Sequence, residues 1–251
     1  MQADCIARAT RRCGRDQAAA RREDLTLSPS EIEAFYDRFG RKLETQAFYA
    51  NPALDALRAH ALFSDAKKVF EFGCGTGQFA ARLLSHDLAA DASYIGCDVS
   101  RTMVELAKKK LVNYGDRAQV IRSDGTVLFP IPDHSMDRIV STYVLDLLSE
   151  SDTESFFLEA HRKLKAGGKV CLVSLTEGAT RMSHIVTAIW AWLFRLNASL
   201  VGGCRPIHLE RYIDPQRWTL EYRNVVVAFG VPSEILVAQK RRERAVEPGG
   251  S

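Results

Sequence analysis

The sequence predicts an α/β protein with a doubly wound, seven-stranded sheet that is mostly parallel and ends in a C-terminal hairpin with an antiparallel strand. Three observations predict this fold. First, β-rich and helical patterns alternate between residues 68 and 175. Second, a glycine-rich turn directly follows the first β-rich run. Third, two later β-rich runs flank the turn sequence Phe229-Gly230-Val231-Pro232.

Short apolar runs rich in β-branched and aromatic residues predict the strands. They are 68–72, 94–97, 119–122, 138–142, 169–175, 218–228 and 234–238. Helical patterns fall between them, at 79–85, 100–113, 152–164 and 181–196. Ser100 is the expected N-cap of the second helix, and Gly167-Gly168 the expected end of the third. One or two further helices are expected within 28–63, with Ser30 as an N-cap.

Composition and charge exclude few classes of protein. The chain has 251 residues and a formal net charge of +3, which is too weakly basic to indicate nucleic acid as a partner. Its six cysteines show no CxxC pair or metal-like spacing, so we expect no metal and a reducing compartment. The most apolar segment, 185–201, carries Arg195 and Asn197, which argues against a transmembrane span.

The chain divides into one domain between two tails. Residues 1–24 are rich in Arg and Ala and are expected to form a flexible basic tail, and 241–251 a second tail. The alternative for residues 1–24 is a mitochondrial transit peptide. Such peptides contain few acids, so Asp4 and Asp16 disfavour it, and a cytoplasmic location is preferred. The domain at 25–240 would include a helical lid at 25–66 and a substrate-side insert at 177–217.

The segment VFEFGCGTGQF contains glycines at every second position, which raises the question of which ligand needs a backbone without side chains there. Gly73, Gly75 and Gly77 follow the first strand, where ligands of a doubly wound sheet bind. The next helix would offer unpaired N–H groups at its N-terminus. A dinucleotide site would need G-x-G-x-x-G/A, but Gln78 occupies the last position, which counts against a nicotinamide dinucleotide.

Two acids narrow the kind of ligand that the sequence predicts. Asp98 ends the second strand, where a carboxylate accepts hydrogen bonds from ribose hydroxyls. Asp124 ends the third strand, near the expected place of an adenine amino group. The alternative is that both acids cap loops. A glycine turn with acids at two successive strand ends favours an adenosine-containing ligand.

At this point the sequence resembles the class I S-adenosylmethionine (SAM)-dependent methyltransferases, which have a Rossmann-like fold. The blocks that carry the resemblance are VFEFGCGTGQFA, YIGCDVS, IRSDGTVLFPIPDHSMDRIVSTYVLDLL and LKAGGKVCLVSL. The ending VVVAFGVPSEILVAQK is similar to the last two strands of that family. The resemblance covers about residues 69–240 and implies a methyltransferase that uses SAM.

The resemblance also implies a cofactor site. Glu71 would support the glycine turn and the methionine amino group, and Asp98 would bind the ribose, with Val99 and Met103 beside the adenine. Ordinary packing is an equal alternative for Val99 and Met103. The complete set implied is Glu71, Gly73, Cys74, Gly75, Gly77, Asp98, Val99, Met103, Ser123, Asp124, Gly125 and Thr142.

Methyl transfer needs positioning more than covalent help, so a missing base does not argue against it. The candidates for contact with the reacting atoms are Tyr143, Asp146 and His184. Asp146 is equally well explained as an acid at a helix start, whereas His184 is better explained as a surface or core-edge histidine. His134 and His161 are expected to be structural.

Candidates for the acceptor side are Tyr36 in the lid and Trp190, Arg205 and His208 in the insert. Arg205 would bind a carboxylate or phosphate, or else pair with Glu210. The apolar insert indicates packing on the sheet, a lipophilic acceptor, peripheral membrane contact or a dimer face. The prediction is methyl transfer to a small hydrophobic molecule by a monomer or homodimer. Nucleic acid is disfavoured because S-T-Y-V replaces the D/N-P-P-Y/F of amino-group base methylation. A protein or lipid acceptor, or a SAM-binding scaffold without catalysis, is the alternative.

Overall fold

The computed structural model describes residues 28–39, 47–177 and 204–242. Seven strands form one sheet in the order β3-β2-β1-β4-β5-β7-β6. The strands are β1 (Lys68–Phe72), β2 (Ser93–Asp98), β3 (Ala118–Arg122), β4 (Met136–Thr142), β5 (Leu164–Leu175), β6 (Trp218–Ala228) and β7 (Val231–Lys240). The helices are α1 (Pro29–Phe39), α2 (Ala47–His60), α3 (Gln78–Arg82), α4 (Arg101–Leu111) and α5 (Glu150–Lys163). The doubly wound fold predicted from the sequence is confirmed.

The sheet reverses its direction of growth beside β1. β1 pairs in parallel with β2 on one side and with β4 on the other. The chain builds outward through β2 and β3, then returns to place β4 next to β1. In such sheets the carboxyl ends of the strands at this switch point form the ligand-binding crevice. The glycine turn after Phe72 therefore stands at this crevice.

The C-terminal strands form the predicted hairpin. β7 runs antiparallel to both β5 and β6, with Val173 opposite Ile235 in the β5 pair. The turn uses Phe229 at φ 52° and Gly230 at φ 81°. Positive φ at both central residues suits the right-handed twist of a two-residue hairpin. Pro232, predicted as part of the turn, lies inside β7.

Two apolar layers cover the two faces of the sheet. One contains Leu57, Leu83 and Tyr94, together with residues of α4. The other contains Phe70 and Phe156 and side chains of α5. The strands at the centre are apolar on both faces because both faces are covered.

Two local predictions about α5 were wrong. Gly167-Gly168 does not end α5 but lies within β5. The residues of β5 that pair with β4 are Leu164 and then Lys169, so the stretch between them is left out of the pairing. Gly167 has φ +78°, so these glycines accommodate an irregularity in the strand. α5 also begins earlier than predicted, because Ser149 caps it by accepting a 3.0 Å hydrogen bond from the Asp152 N–H.

Ser100 is the N-cap of α4, as predicted, and accepts a hydrogen bond from the Met103 N–H at 3.1 Å. For α1 the prediction of Ser30 was wrong. Ser28 forms a capping box with Glu31, whose side chain accepts the Ser28 N–H at 2.8 Å. Pro29 is then the first helical residue, where its missing N–H costs nothing.

The predicted helix at 181–196, the first tail and most of the second tail lie outside the described residues. So does most of the predicted insert, of which 177 and 204–217 are described. Within the described parts of the chain, no helix has the length and apolar character needed to cross a membrane. The proposed division into domain and tails stays a prediction.

Candidate cofactor and acceptor site

A cavity of about 300 Å³ opens at the carboxyl ends of β1, β2 and β4. Its volume is in the usual range for a small-molecule site. The predicted residues that line it are Tyr36, Glu71, Gly73, Cys74, Gly75, Asp98, Val99, Met103, Ser123, Gly125, Thr142 and Tyr143. The topology thus brings together segments that are more than 100 residues apart in sequence.

The three glycines of the turn serve different purposes. A Cβ on Gly73 would lie 2.3 Å from Val144 Cγ2, so this position admits no side chain. A Cβ on Gly77 would lie 3.1 Å from the Ala107 Cα, so Gly77 allows the turn to approach α4 closely. Gly75 has φ +52° and open space where its Cβ would be. Because Gly75 also lines the cavity, that space is available to a ligand.

Backbone hydrogen bonds fix the turn to the end of β2. The N–H groups of Gly73 and Cys74 both donate to the Cys97 carbonyl at 2.9 Å. The Gly75 N–H donates to Asp98 Oδ2 at 2.8 Å. The glycine turn and the acid at the end of β2 therefore form one hydrogen-bonded unit.

Asp98 is held on both oxygens. Its Oδ1 accepts the Ser100 N–H at 3.0 Å, while Oδ2 accepts that of Gly75. Burial raises the pKa of Asp98 to about 6, although these two N–H donors act in the opposite direction. The group is therefore mainly ionised at neutral pH. Each carboxylate oxygen keeps a further acceptor site, which a ribose hydroxyl would use.

Glu71 lies at the floor of the cavity and is 1% exposed. The Tyr94 hydroxyl donates to its Oε2 at 2.5 Å. Burial raises the pKa of Glu71 to about 7. A Cβ on Gly96 would lie 2.5 Å from the Tyr94 hydroxyl oxygen, so Gly96 makes room for this contact. Sequence reasoning missed Tyr94 and Gly96, although a glycine inside a strand signals a close approach of this kind.

The end of β4 supplies the opposite wall. Tyr143 adopts φ 57°, an uncommon conformation for a residue with a side chain. Its backbone N–H donates to the Val173 carbonyl at 2.8 Å, and its hydroxyl contacts Ser233 Oγ at 2.9 Å. Burial raises the pKa of Tyr143 above its usual value. Strained residues of this kind occur at functional sites when their surroundings hold them in place.

The rest of the wall is mainly apolar and was not predicted beyond Tyr36. Its apolar members include Ile32, Leu54, Val144, Leu147 and Leu148, and its polar members include Asn51, Gln78, Ser149 and Asp152. Arg82 also lines the cavity; its Nη1 donates to Asn51 Oδ1 at 3.1 Å, and it forms an ion pair with Asp55.

Asp146 does not line the cavity. It is fully buried, and its Oδ1 accepts the Ser174 hydroxyl at 3.1 Å. Its Oδ2 has no hydrogen-bond partner within the described structure. Burial raises the pKa of Asp146 to about 6, partly offset by hydrogen bonds from its own backbone, Ser174 and Cys204.

Asp124 is also outside the cavity wall. Its Oδ1 accepts the Thr126 N–H at 3.0 Å and the Thr126 hydroxyl at 2.7 Å, which lowers the pKa of Asp124. Its neighbours Ser123 and Gly125 do line the cavity. The side chain thus stabilises its own turn, which matches the loop-capping alternative.

Arg205 and His208 do not line the cavity. Arg205 donates from Nη2 to the Leu148 carbonyl at 2.7 Å, whereas Glu210 pairs with Arg223. His208 contacts Glu177 through Nε2 at 3.4 Å. His184 and Trp190 lie outside the described residues. Among the residues that are described, no group of three or more His, Cys, Asp or Glu is arranged to hold a metal ion.

The comparisons with known proteins indicate a methyltransferase domain. Residues 69–168 match the family model described as a methyltransferase domain. An uncharacterised methyltransferase of Anoxybacillus flavithermus is 36% identical over 103 residues, which is 41% of this chain and 44% of that protein. Residues 69–168 thus form a methyltransferase domain, and the resemblance to the class I SAM-dependent methyltransferases stated from the motifs is confirmed.

The names of other curated relatives give different methyl acceptors. A ubiquinone/menaquinone biosynthesis C-methyltransferase of Desulfotalea psychrophila is 30% identical over 162 residues, covering 64% of this chain and 62% of the relative. A tRNA N(3)-methylcytidine methyltransferase of Drosophila melanogaster is 27% identical over 120 residues, covering 47% and 37%. The chain thus spans about half or less of the length of several curated relatives.

A solved structure shows the same fold. The N-methyltransferase NodS of Bradyrhizobium japonicum, in complex with S-adenosylhomocysteine (SAH), superposes with a TM-score of 0.60 at 14% identity. The match covers 76% of this chain and 87% of NodS. The tRNA-directed relatives weigh against the sequence-based exclusion of nucleic acid, and the comparisons leave the acceptor open.

Proposed function

We propose that the protein transfers a methyl group from SAM to a small, hydrophobic organic acceptor. The observation that carries this proposal is the composition of one cavity. At one end, the glycine turn and Asp98 form a polar unit, and at the other the wall is mainly apolar. The methyltransferase domain supports SAM as the methyl donor.

The residues present fit this cofactor. Asp98 would accept the two ribose hydroxyls, and Val99 and Met103 would contact the adenine. The bare backbone of Gly75 would lie against the methionine part, where the structure leaves space. Glu71 would face the amino group, which favours its ionised form by opposite charge. Ser123, Gly125 and Thr142 would complete the wall, with Asp124 fixing the turn that carries the first two.

The acceptor would enter between α1, α2 and the end of β4. Ile32, Leu54, Leu147 and Leu148 present apolar surface there, and an apolar ligand gains by displacing water from such a wall. Tyr36 and Tyr143 add two aromatic rings. The quinone-directed relative of D. psychrophila supports an acceptor of this type.

When bound, SAM supplies an activated methyl group on a positively charged sulfur. The protein's own residues then need to orient the acceptor and exclude water, and such positioning is worth roughly 7–11 kcal/mol of barrier in favourable cases. Tyr143 is well placed for orientation because Ser233 and the β5 backbone hold it. Removal of an acceptor proton is required only for some oxygen and carbon acceptors.

The test has two stages. Calorimetry with SAH on the full chain measures cofactor binding. A screen with methyl-labelled SAM then compares lipophilic phenols and quinols, polar amines of similar size, and a tRNA transcript. We expect micromolar SAH binding and label transfer to the lipophilic set. Binding without transfer to any class would favour a scaffold protein, and no binding would refute the proposal.

A nucleic-acid acceptor is the second candidate. It is favoured by the relatives named as tRNA methyltransferases and disfavoured by the sequence S-T-Y-V at the end of β4. Label transfer to tRNA alone would establish it.

A further inference from the structure

α1 is fastened to the adenosine side of the cavity by a carboxylate. Asp37 Oδ1 accepts a hydrogen bond from the Ser100 hydroxyl and another, at 3.1 Å, from the Thr102 N–H. Asp37 thereby adds a second cap to α4, across more than 60 residues of sequence. Negative charge at a helix N-terminus is stabilising, which gives this contact its energetic basis.

Ser100 links Asp37 directly to the proposed ribose acid. Its hydroxyl donates to Asp37, and its backbone N–H donates to Asp98 Oδ1 at 3.0 Å. Ser100 is itself fully buried, so its two bonds have little freedom to rearrange. The position of α1 and the position of Asp98 are therefore fixed through one residue.

A second contact acts in the same region. Glu33, one turn before Asp37, forms an ion pair with Arg122 at the end of β3. Arg122 also donates from Nε to the Val99 carbonyl at 3.3 Å and lies opposite Asp98 in the sheet. Two of the three carboxylates of α1, those of Glu33 and Asp37, therefore contact the segment that would hold the adenosine.

The same helix contributes to the cavity wall. Ile32 and Tyr36 line the cavity, and they stand next to Glu33 and Asp37 in sequence. In the described part of the chain, α1 packs mainly against α4. Among the described contacts of this helix, those of Asp37 and Glu33 are polar and reach the cofactor segment.

We propose that Asp37, assisted by Glu33, is a positioning residue that keeps α1 closed over the bound cofactor and sets the rate at which SAH leaves. This inference rests on the proposed function. The contacts of Asp37 must open for α1 to move away from α4, and Tyr36 and Ile32 move with it. The cofactor affinity then includes the free energy of this closure.

The experiment measures SAH dissociation from the full chain by stopped-flow displacement and affinity by calorimetry. The variants are Asp37→Ala, Asp37→Asn and Glu33→Gln. Glu105→Gln is the matched control, because it removes an exposed acid of α4 that has no polar contact with the described residues. Thermal unfolding of the ligand-free proteins reports any effect on folding alone.

We expect Asp37→Ala to speed SAH dissociation roughly five- to tenfold, as for the loss of a charged hydrogen bond at a solvent-exposed position. Asp37→Asn keeps an acceptor oxygen and is expected to fall between Asp37→Ala and the wild type. Glu33→Gln is expected to act about twofold and Glu105→Gln not at all. Without ligand, the melting temperature of Asp37→Ala should fall by only about 2–4 °C, as for the loss of one helix cap in a chain of this size. With an identified acceptor, the KM for SAM should rise without a fall in kcat.

Dissociation from Asp37→Ala at the wild-type rate would overturn the inference. So would equal effects of Asp37→Ala and Glu105→Gln, since these would indicate general electrostatics. SAH binding by the wild type with unaffected variants refutes this inference alone. A wild type that does not bind SAH refutes the proposed function, and this inference with it.

Discussion

The backbone N–H of Gly75 donates a 2.8 Å hydrogen bond to the carboxylate of Asp98, 23 residues further along the chain. This contact joins the glycine turn after β1 to the acid that ends β2. Because Ser100 holds the other oxygen, Asp98 cannot swing away from the cavity without breaking both bonds. The unit is therefore preorganised for a ligand that carries adjacent hydroxyl groups.

Asp98→Ala should abolish useful cofactor binding. It removes the acceptor for both ribose hydroxyls, and hydrogen bonds to a charged group contribute roughly 1.5–3 kcal/mol each, so we expect SAH affinity to fall at least about a hundredfold. Calorimetry measures this, with circular dichroism to verify the fold.

Asp124→Ala is the comparison for that experiment. The Asp124 side chain is engaged with Thr126 and does not line the cavity, so we expect an effect of about threefold or less on SAH affinity. A loss as large as that of Asp98→Ala would show that Asp124 reaches the ligand directly, as the family resemblance implies.

Substitutions at Gly73 and Gly75 should have different effects on stability and on cofactor binding. Gly73→Ala places a Cβ against Val144 and should lower the melting temperature by several degrees, and Val144→Ala in the same chain should restore part of the loss. Gly75→Ala meets no neighbouring atom, so its φ of +52° is the source of strain and its loss of melting temperature should be smaller than that of Gly73→Ala, while the added methyl group fills ligand space and lowers SAH affinity. Equal melting temperatures for Gly73→Ala and the wild type would contradict the packing argument.

Much of this arrangement could be predicted from the sequence because it depends on local patterns. The strand 68–72, the glycine turn and the Ser100 cap are encoded within a few residues, and the structure has them where they were predicted. Strand order follows from the rules of doubly wound sheets. The acids at strand ends come together as a consequence of that order.

The remaining features depend on contacts between distant segments. Nothing near Glu71 in sequence indicates that the Tyr94 hydroxyl meets it, and nothing near Asp37 indicates Ser100. Gly167-Gly168 has the sequence of a helix stop, yet α5 already ends at Lys163 and the glycines lie in the irregular part of β5 between Leu164 and Lys169. The position of Asp146 after β4 predicts a place at the cavity, whereas in the packed structure its side chain is fully buried and does not line the cavity.

Asp146→Asn tests whether this buried acid takes part in the reaction. Since Asp146 is fully buried and outside the cavity wall, we expect kcat to stay within about threefold of the wild type. The Asn carbonyl would still accept the Ser174 hydroxyl. A fall in kcat of about a hundredfold, together with loss of a pH dependence near 6, would instead identify Asp146 as a general base.

Glu71 should make the ligand-free protein less stable as the pH rises. Burial raises the pKa of Glu71 from 4.5 to about 7, so the folded state holds a proton that the unfolded state releases between these values. Its contribution to stability is fully present below pH 4.5 and is lost as the pH rises through 7. From pH 5 to pH 8 this amounts to roughly 2–3 kcal/mol.

Glu71→Gln cannot ionise and isolates that contribution. Urea unfolding of both proteins at pH 5 and pH 8 should show that the variant gains roughly 2–3 kcal/mol relative to the wild type at the higher pH. The matched variant Tyr94→Phe removes the hydroxyl that stabilises the Glu71 anion, so it should raise the pKa of Glu71 further and steepen the loss. A difference between Glu71→Gln and the wild type that is the same at both pH values would mean that Glu71 is already ionised in the folded protein at pH 5.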